Sequence, residues 1–246
     1  MGSYRKNIAI TVFGNISLAA VGLVTGPLLA RSLGPTLRGE LAAIQLWGAF
    51  VVTLALLGLP DALVYEVGRQ PVATGRLWST AAAVAVTAGS PLVLAGCWLS
   101  SRLLGHQSQT VNELLPPYIL SFFVFNVIGS LSLSVLQGMN DLKSWNVLRM
   151  LPTLGWLVVT VYAVVARSAT VPFLVVGFLG SCAFASTVAA AVVWRRVRGR
   201  VGIEPKQAAA MLRYGLPLAA TAIPLWLVRG GRLAQLWVSV LLGPGW

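Results

Sequence analysis

Six uncharged, mostly apolar stretches divide the chain: Asn7 to Ala30, Leu41 to Pro60, Leu77 to Ser101, Leu114 to Asn140, Met150 to Ala166 and Ser168 to Trp194, each bounded by a charged residue. Crossing about 30 Å of hydrocarbon as a helix takes roughly 20 residues, so each stretch predicts a transmembrane helix, the second running on past Asp61. A seventh apolar segment, about Gly215 to Leu242, is interrupted by Arg229 and Arg232, but Leu, Val, Ala and Trp surround both, and a hydropathy window still reads it as a span. Seven helices are expected.

Two stretches connect rather than span. Arg195 to Arg213 (RRVRGRVGIEPKQAAAMLR) is the longest polar one; Pro205 starts a short helical run there, and Ala208 to Leu212 suit the bilayer surface. This linker serves as an orientation signal and tether, with an anionic-lipid clamp as the other use of its charge. The stretch from Gly105 to Pro117 holds the single His, His106, in a polar setting without partners for catalysis. Arg5 and Lys6 precede the first apolar run, which is far longer than the roughly 7 to 15 apolar residues of a secretory signal. It is therefore a first transmembrane helix.

Charge then sets orientation. With the N-terminus inside, the inner loops hold twelve basic residues (Arg5, Lys6, Arg69, Arg76, Lys143, Arg149, Arg195, Arg196, Arg198, Arg200, Lys206 and Arg213), and the outer loops hold four (Arg31, Arg38, Arg102 and Arg167). An excess of Lys and Arg marks the cytoplasmic side, so a cytoplasmic N-terminus in a multi-pass protein of the cell membrane is expected. Arg229 and Arg232 belong to no loop.

Composition agrees with membrane residence and narrows the chemistry. Of 246 residues, 57% are hydrophobic and 10% charged, and mean hydropathy is +0.81, outside the range of a water-soluble globule. The net charge of +12 is spread over short loops, not along a face that could follow a phosphate backbone, so nucleic acid is not expected as a partner. Six acidic residues, one His and two Cys leave little material for a carboxylate pair, a metal cage or a disulfide framework. We expect no enzyme, no metal and no cofactor, with Cys97 and Cys182 as buried reduced thiols.

An internal repeat changes the fold expectation. The segments from Tyr4 (YRKNIAITVFGNISLAAVGLVTGPLLARSLGPTLRG) and from Tyr214 (YGLPLAATAIPLWLVRGGRLAQLWVSVLLGPGW) share a Tyr at the inner boundary, an apolar helix broken by Gly or Pro, and Leu-Gly-Pro at the outer end. From Tyr to that Leu is 29 positions in the first and 28 in the second. Both starts lie on the cytoplasmic side, so the repeats are parallel, related by an axis along the membrane normal. The fold expected is all-α and membrane-integral: a six-helix bundle over 1–194, a basic cytoplasmic linker over 195–213, and the first helix of a second, parallel-repeat bundle over 214–246.

Three stretches carry a resemblance to a known family: LLARSLGPTLRGE (Leu28 to Glu40), GLPDALVYEVGR (Gly58 to Arg69) and LQGMNDLKSWNVLRMLP (Leu136 to Pro152). In order and on the expected side, they resemble the O-antigen type of polysaccharide or oligosaccharide flippase, within the multidrug/oligosaccharidyl-lipid/polysaccharide exporter superfamily. The resemblance implies two six-helix bundles, often with two more helices, around a central cavity. By that comparison the chain reads as a fragment or the product of an interrupted gene, ending where LGPGW would lead into an eighth helix. It also implies translocation of a polyprenyl-diphosphate-linked oligosaccharide, with membrane lipids and other polysaccharide-assembly membrane proteins as partners. The alternatives are a cation-coupled multidrug exporter of the same superfamily, which would need acidic cavity residues, and a membrane enzyme of glycan assembly, which would need a large outer loop or an intramembrane His or acid.

A charge in hydrocarbon costs at least about 2.5 kcal/mol and must face protein, water or ligand, so the intramembrane polar residues are the candidate site. Arg229 and Arg232, three apart, project from nearly one helix face, and two guanidinium forks match the oxygens of a diphosphate; snorkelling to the outer headgroups is the other use of the pair. In the family an acidic residue often precedes the second Arg, whereas Gly231 stands here. Asp61 is a candidate for a coupling cation or an Arg of helix 7, or else a helix cap, and Glu66 is interfacial. Asn15 and Asn126, mid-span, either contact sugar hydroxyls or hydrogen-bond between helices. Gly26-Pro27, Pro60, Pro91, Pro152, Pro217 and Pro224 permit kinks that alternating access could use.

Overall fold

A computed structural model describes residues 2–104, 108–197 and 201–228. The described residues form seven α-helices: α1 (Gly2–Ala55), α2 (Leu59–Arg69), α3 (Thr74–Leu103), α4 (Gln109–Gly138), α5 (Leu142–Val165), α6 (Val171–Arg196) and α7 (Pro205–Val228). Among them no strand occurs, and one 3-10 turn, Pro71–Ala73, leads into α3. Among the described residues five stretches are long and apolar enough to cross a membrane: Gly14–Ala55, Pro71–Leu103, Gln109–Gly138, Leu142–Val165 and Val171–Arg196. They overlap the six uncharged stretches of the sequence, the first overlapping two of them. Segment seven continues outside the described residues, as does His106.

The two expected helices within α1 meet at a single residue. Gly34 has φ 73° and ψ 176°, a conformation a Cβ would strain, and Pro35 follows with a φ already suited to a first helical turn and no N–H to leave unpaired. The Leu-Gly-Pro corner is thus a joint with no loop. A second break comes at Leu57 (φ 51°) and Gly58 (φ 69°), after which α2 begins at Leu59 with Pro60 in its first turn. The helix expected to pass Asp61 does so, but in two pieces. Pro27, Pro91 and Pro152 lie inside continuous helices, so the sharp changes of backbone conformation fall on Gly34 and Leu57-Gly58 instead.

Packing relies on small residues, as expected where lipid tails are as apolar as Leu and close backbone approach is the main attraction. Gly48 lies against the Tyr118 ring of α4, and Gly96 of α3 against Val51. Trp47 Nε1 donates to the Gly96 carbonyl at 3.3 Å, tying the second half of α1 to α3. Gly129 of α4 faces Ser186 of α6, whose Oγ donates to the Phe125 carbonyl at 2.7 Å. Gly155 and Gly177 repeat the pattern between α5 and α6, meeting Ser181 and Val159. The first half of α1 rests on α5 and the second half on α3 and α4.

Contacts define two ends. At one, Asp141 caps α5 by accepting from the Ser144 N–H at 3.2 Å and also pairs with Arg196 at the end of α6. Arg76 of α3 pairs with Glu204 at 3.6 Å, and Ser79 Oγ donates to the Gly202 carbonyl at 2.8 Å. The opposite end carries the α5–α6 turn and the C-terminal end of α3. Neighbouring helices therefore alternate in direction as the sequence requires.

The run starting at Pro205 corrects an expectation. It is no separate surface helix: it continues unbroken as α7 to Val228, with Met211 fully buried and Ala208 and Leu212 packed on the core. Burial of that apolar face against α2 and α3 outweighs its match to a bilayer surface. Gly58 and Gly215 allow the backbones of α2 and α7 to touch, and Tyr65 stacks on Tyr214 with ring centroids 4.6 Å apart. Cys97, half-buried, and Cys182, buried, are both free thiols.

Candidate functional site

A polar seam between α1 and α5 holds Asn15, one of the candidate site residues. Arg149 Nη2 donates to Asn15 Oδ1 at 2.7 Å, and its guanidinium carbon stands 4.3 Å from the centroid of the Trp145 ring. One turn away, Asn146 Nδ2 donates to Thr11 Oγ1 at 3.1 Å and to the Leu142 carbonyl at 2.8 Å. Gly14 makes room for this contact, since a Cβ there would lie 3.3 Å from Arg149 Nη2. Asn146 is 2% exposed, whereas Asn15 faces outward. Arg149 Nε is buried without a hydrogen-bond partner.

Chemically this is a cation held by an aromatic face and one amide, with donor capacity to spare. Of the two uses weighed for Asn15, the structure shows the bond between helices, and the partner is a charge rather than another amide. Among the described residues Asn126 makes no bond between helices: its Nδ2 donates to the Phe122 carbonyl of its own helix at 3.0 Å, and it lines a cavity of about 310 Å³ between α4, α5 and α6.

Asp61 sits apart from this seam. It is exposed in the first turn of α2, where a carboxylate complements the positive end of the helix, and α2 packs on α4 and α7, not on α5. No ion pair to Asp61 occurs among the described residues. Arg229 and Arg232 lie outside the described residues. Among the described residues no three His, Cys, Asp or Glu side chains come close enough to hold a metal ion.

Arg149 was missed as a site residue because it counts as a loop cation when spans are bounded by charge. The signal that finds it is the Asn140-Asp141 turn. Asn140 takes φ 60° and Asp141 caps the helix, so α5 starts at Leu142 and Arg149 falls in its second turn.

Long apolar helices joined by small-residue contacts define a multi-span helical membrane protein. The sequence matches the family described as polysaccharide biosynthesis protein over residues 4–229, and the chain belongs to that family. Neither the curated proteins nor the solved structures contain a match.

Proposed function

We propose that the chain acts in translocating a polyprenyl-diphosphate-linked oligosaccharide of the O-antigen type across the cytoplasmic membrane, with its N-terminus on the cytoplasmic side. Family membership supports polysaccharide assembly as the process. The observation that favours translocation is the Arg149–Asn15 contact: a cation and an exposed amide on one helical seam, where hydrocarbon would be unfavourable and a water-filled path for sugar and phosphate would not.

Arg229 and Arg232 hold the diphosphate, and Asn15 offers its amide to sugar hydroxyls. The lipid tail stays in the bilayer while the helices on either side rock. Asp61 takes a coupling cation. The chain performs no covalent chemistry and works beside other polysaccharide-assembly membrane proteins.

In cells that depend on this protein for glycan export, Arg229→Ala or Arg232→Ala should abolish surface glycan while membrane insertion is unchanged. Surface-glycan blotting alongside quantification of the protein in membranes reads both. Normal export by both variants rules out the assigned diphosphate site.

A further inference from the structure

A concavity of about 420 Å³ lies at the end opposite the Asp141–Arg196 pair, lined by Leu28, Arg31 and Ser32 of α1, Ala163 and Val164 of α5, and Arg167 in the turn toward α6. Its chemistry is two-sided. Leu28, Ala163 and Val164 make an apolar floor, and two guanidinium groups border it with no carboxylate in the lining. Among the described residues neither Arg31 nor Arg167 is in an ion pair; the acidic partners within reach of Arg side chains are Asp141 and Glu204, both at the other end.

Placement of Arg167 adds an independent observation. Helix α5 closes with the Ser168 N–H donating to the Ala163 carbonyl at 3.0 Å and the Arg167 N–H to the Val164 carbonyl at 3.2 Å, the hydrogen-bond pattern in which glycine usually occupies the left-handed position. Arg167 holds that position at φ 51°, although a side chain is disfavoured there. The α5 carbonyl end is favourable to the cation but supplies no counter-ion. Arg31 follows directly on the uncharged run ending at Ala30, which sets both cations at the edge of the apolar zone.

We propose that this pocket binds a phosphate group carried on a lipid, with Arg31 and Arg167 gripping its oxygens and the apolar floor receiving the first carbons of the tail. Planar guanidinium forks suit phosphate oxygens, and two of them without a carboxylate leave a charge that a lipid phosphate neutralises. The phosphate comes from a membrane phospholipid or from a lipid-linked glycan carrier. Arg31 and Arg167 suffice for the site, which does not depend on whether the chain flips glycan.

The full chain, purified in a neutral detergent, would be titrated with dioleoylphosphatidylglycerol and, separately, with a polyprenyl diphosphate, and bound adducts counted by native mass spectrometry. Arg31→Gln and Arg167→Gln should each lower binding of a lipid phosphate several-fold, and the double variant about tenfold or more, the scale of a lost charge-assisted hydrogen bond. Arg102→Gln, at the same end but outside the pocket, should leave it unchanged. A drop with phosphatidylglycerol assigns the site to phospholipid; a drop with the polyprenyl diphosphate alone assigns it to the carrier. Adducts that persist in the double variant, or that fall equally in Arg102→Gln, overturn the site. If the double variant fails to fold by circular dichroism, the two single variants decide the matter by the same criteria.

Discussion

Arg149 is the residue whose surroundings explain most about the first helix. Its guanidinium is shared between the Trp145 ring and the Asn15 amide, while Nε is buried and unpaired. Removing either partner of the Asn15 bond should destabilise the α1–α5 seam modestly, because hydrogen bonds between membrane helices contribute about 0.6 kcal/mol on average and at most about 1.7. A double-mutant cycle of Asn15→Ala and Arg149→Ala, read by unfolding in mixed micelles, should give a coupling of about 1 kcal/mol. Zero coupling would show that Asn15 and Arg149 act separately. Asn15 was legible in the sequence as a polar residue mid-span; its partner was not, since spacing alone cannot say which of several cations a neighbouring helix presents.

At the scale of elements, two glycines decide where helices stop. Gly34 has open space around it but a positive φ, so Gly34→Ala should cost about 1 kcal/mol through the backbone alone. Gly58 has a positive φ and also touches the Gly215 backbone of α7, so Gly58→Ala should cost several times more, adding overpacking of about 1–3 kcal/mol. Thermal unfolding in detergent would rank the two, and an equal effect would contradict the close contact between α2 and α7. The Leu-Gly-Pro motif announced a corner in the sequence. That it contains no loop, and that Pro27, Pro91 and Pro152 end nothing, depends on how neighbouring helices support the freed carbonyls.

For the molecule as a whole, the alternating helix directions put the Asp141–Arg196 and Arg76–Glu204 pairs at one end and Arg31 and Arg167 at the other. The excess of basic residues predicts that the first of these ends is cytoplasmic. Single cysteines introduced at Lys143 and at Ser168, in a background without Cys97 and Cys182, should be labelled by a membrane-impermeant thiol reagent from opposite sides of the membrane. Labelling of Ser168→Cys in intact cells and of Lys143→Cys after permeabilisation is the expected result, and the reverse would invert the topology.

Helical class, the long apolar stretches and the corner at Gly34 were readable from local composition, because crossing hydrocarbon demands length, low charge and internally paired backbone groups, all of which are properties of a single segment. The contact of Arg149 with Asn15, the joining of the Pro205 run to α7 against α2, and the meeting of Arg31 with Arg167 were not readable in this way. Each pairs residues far apart in sequence, and such contacts follow from which small-residue faces dock, a choice made by the packing of all the helices together.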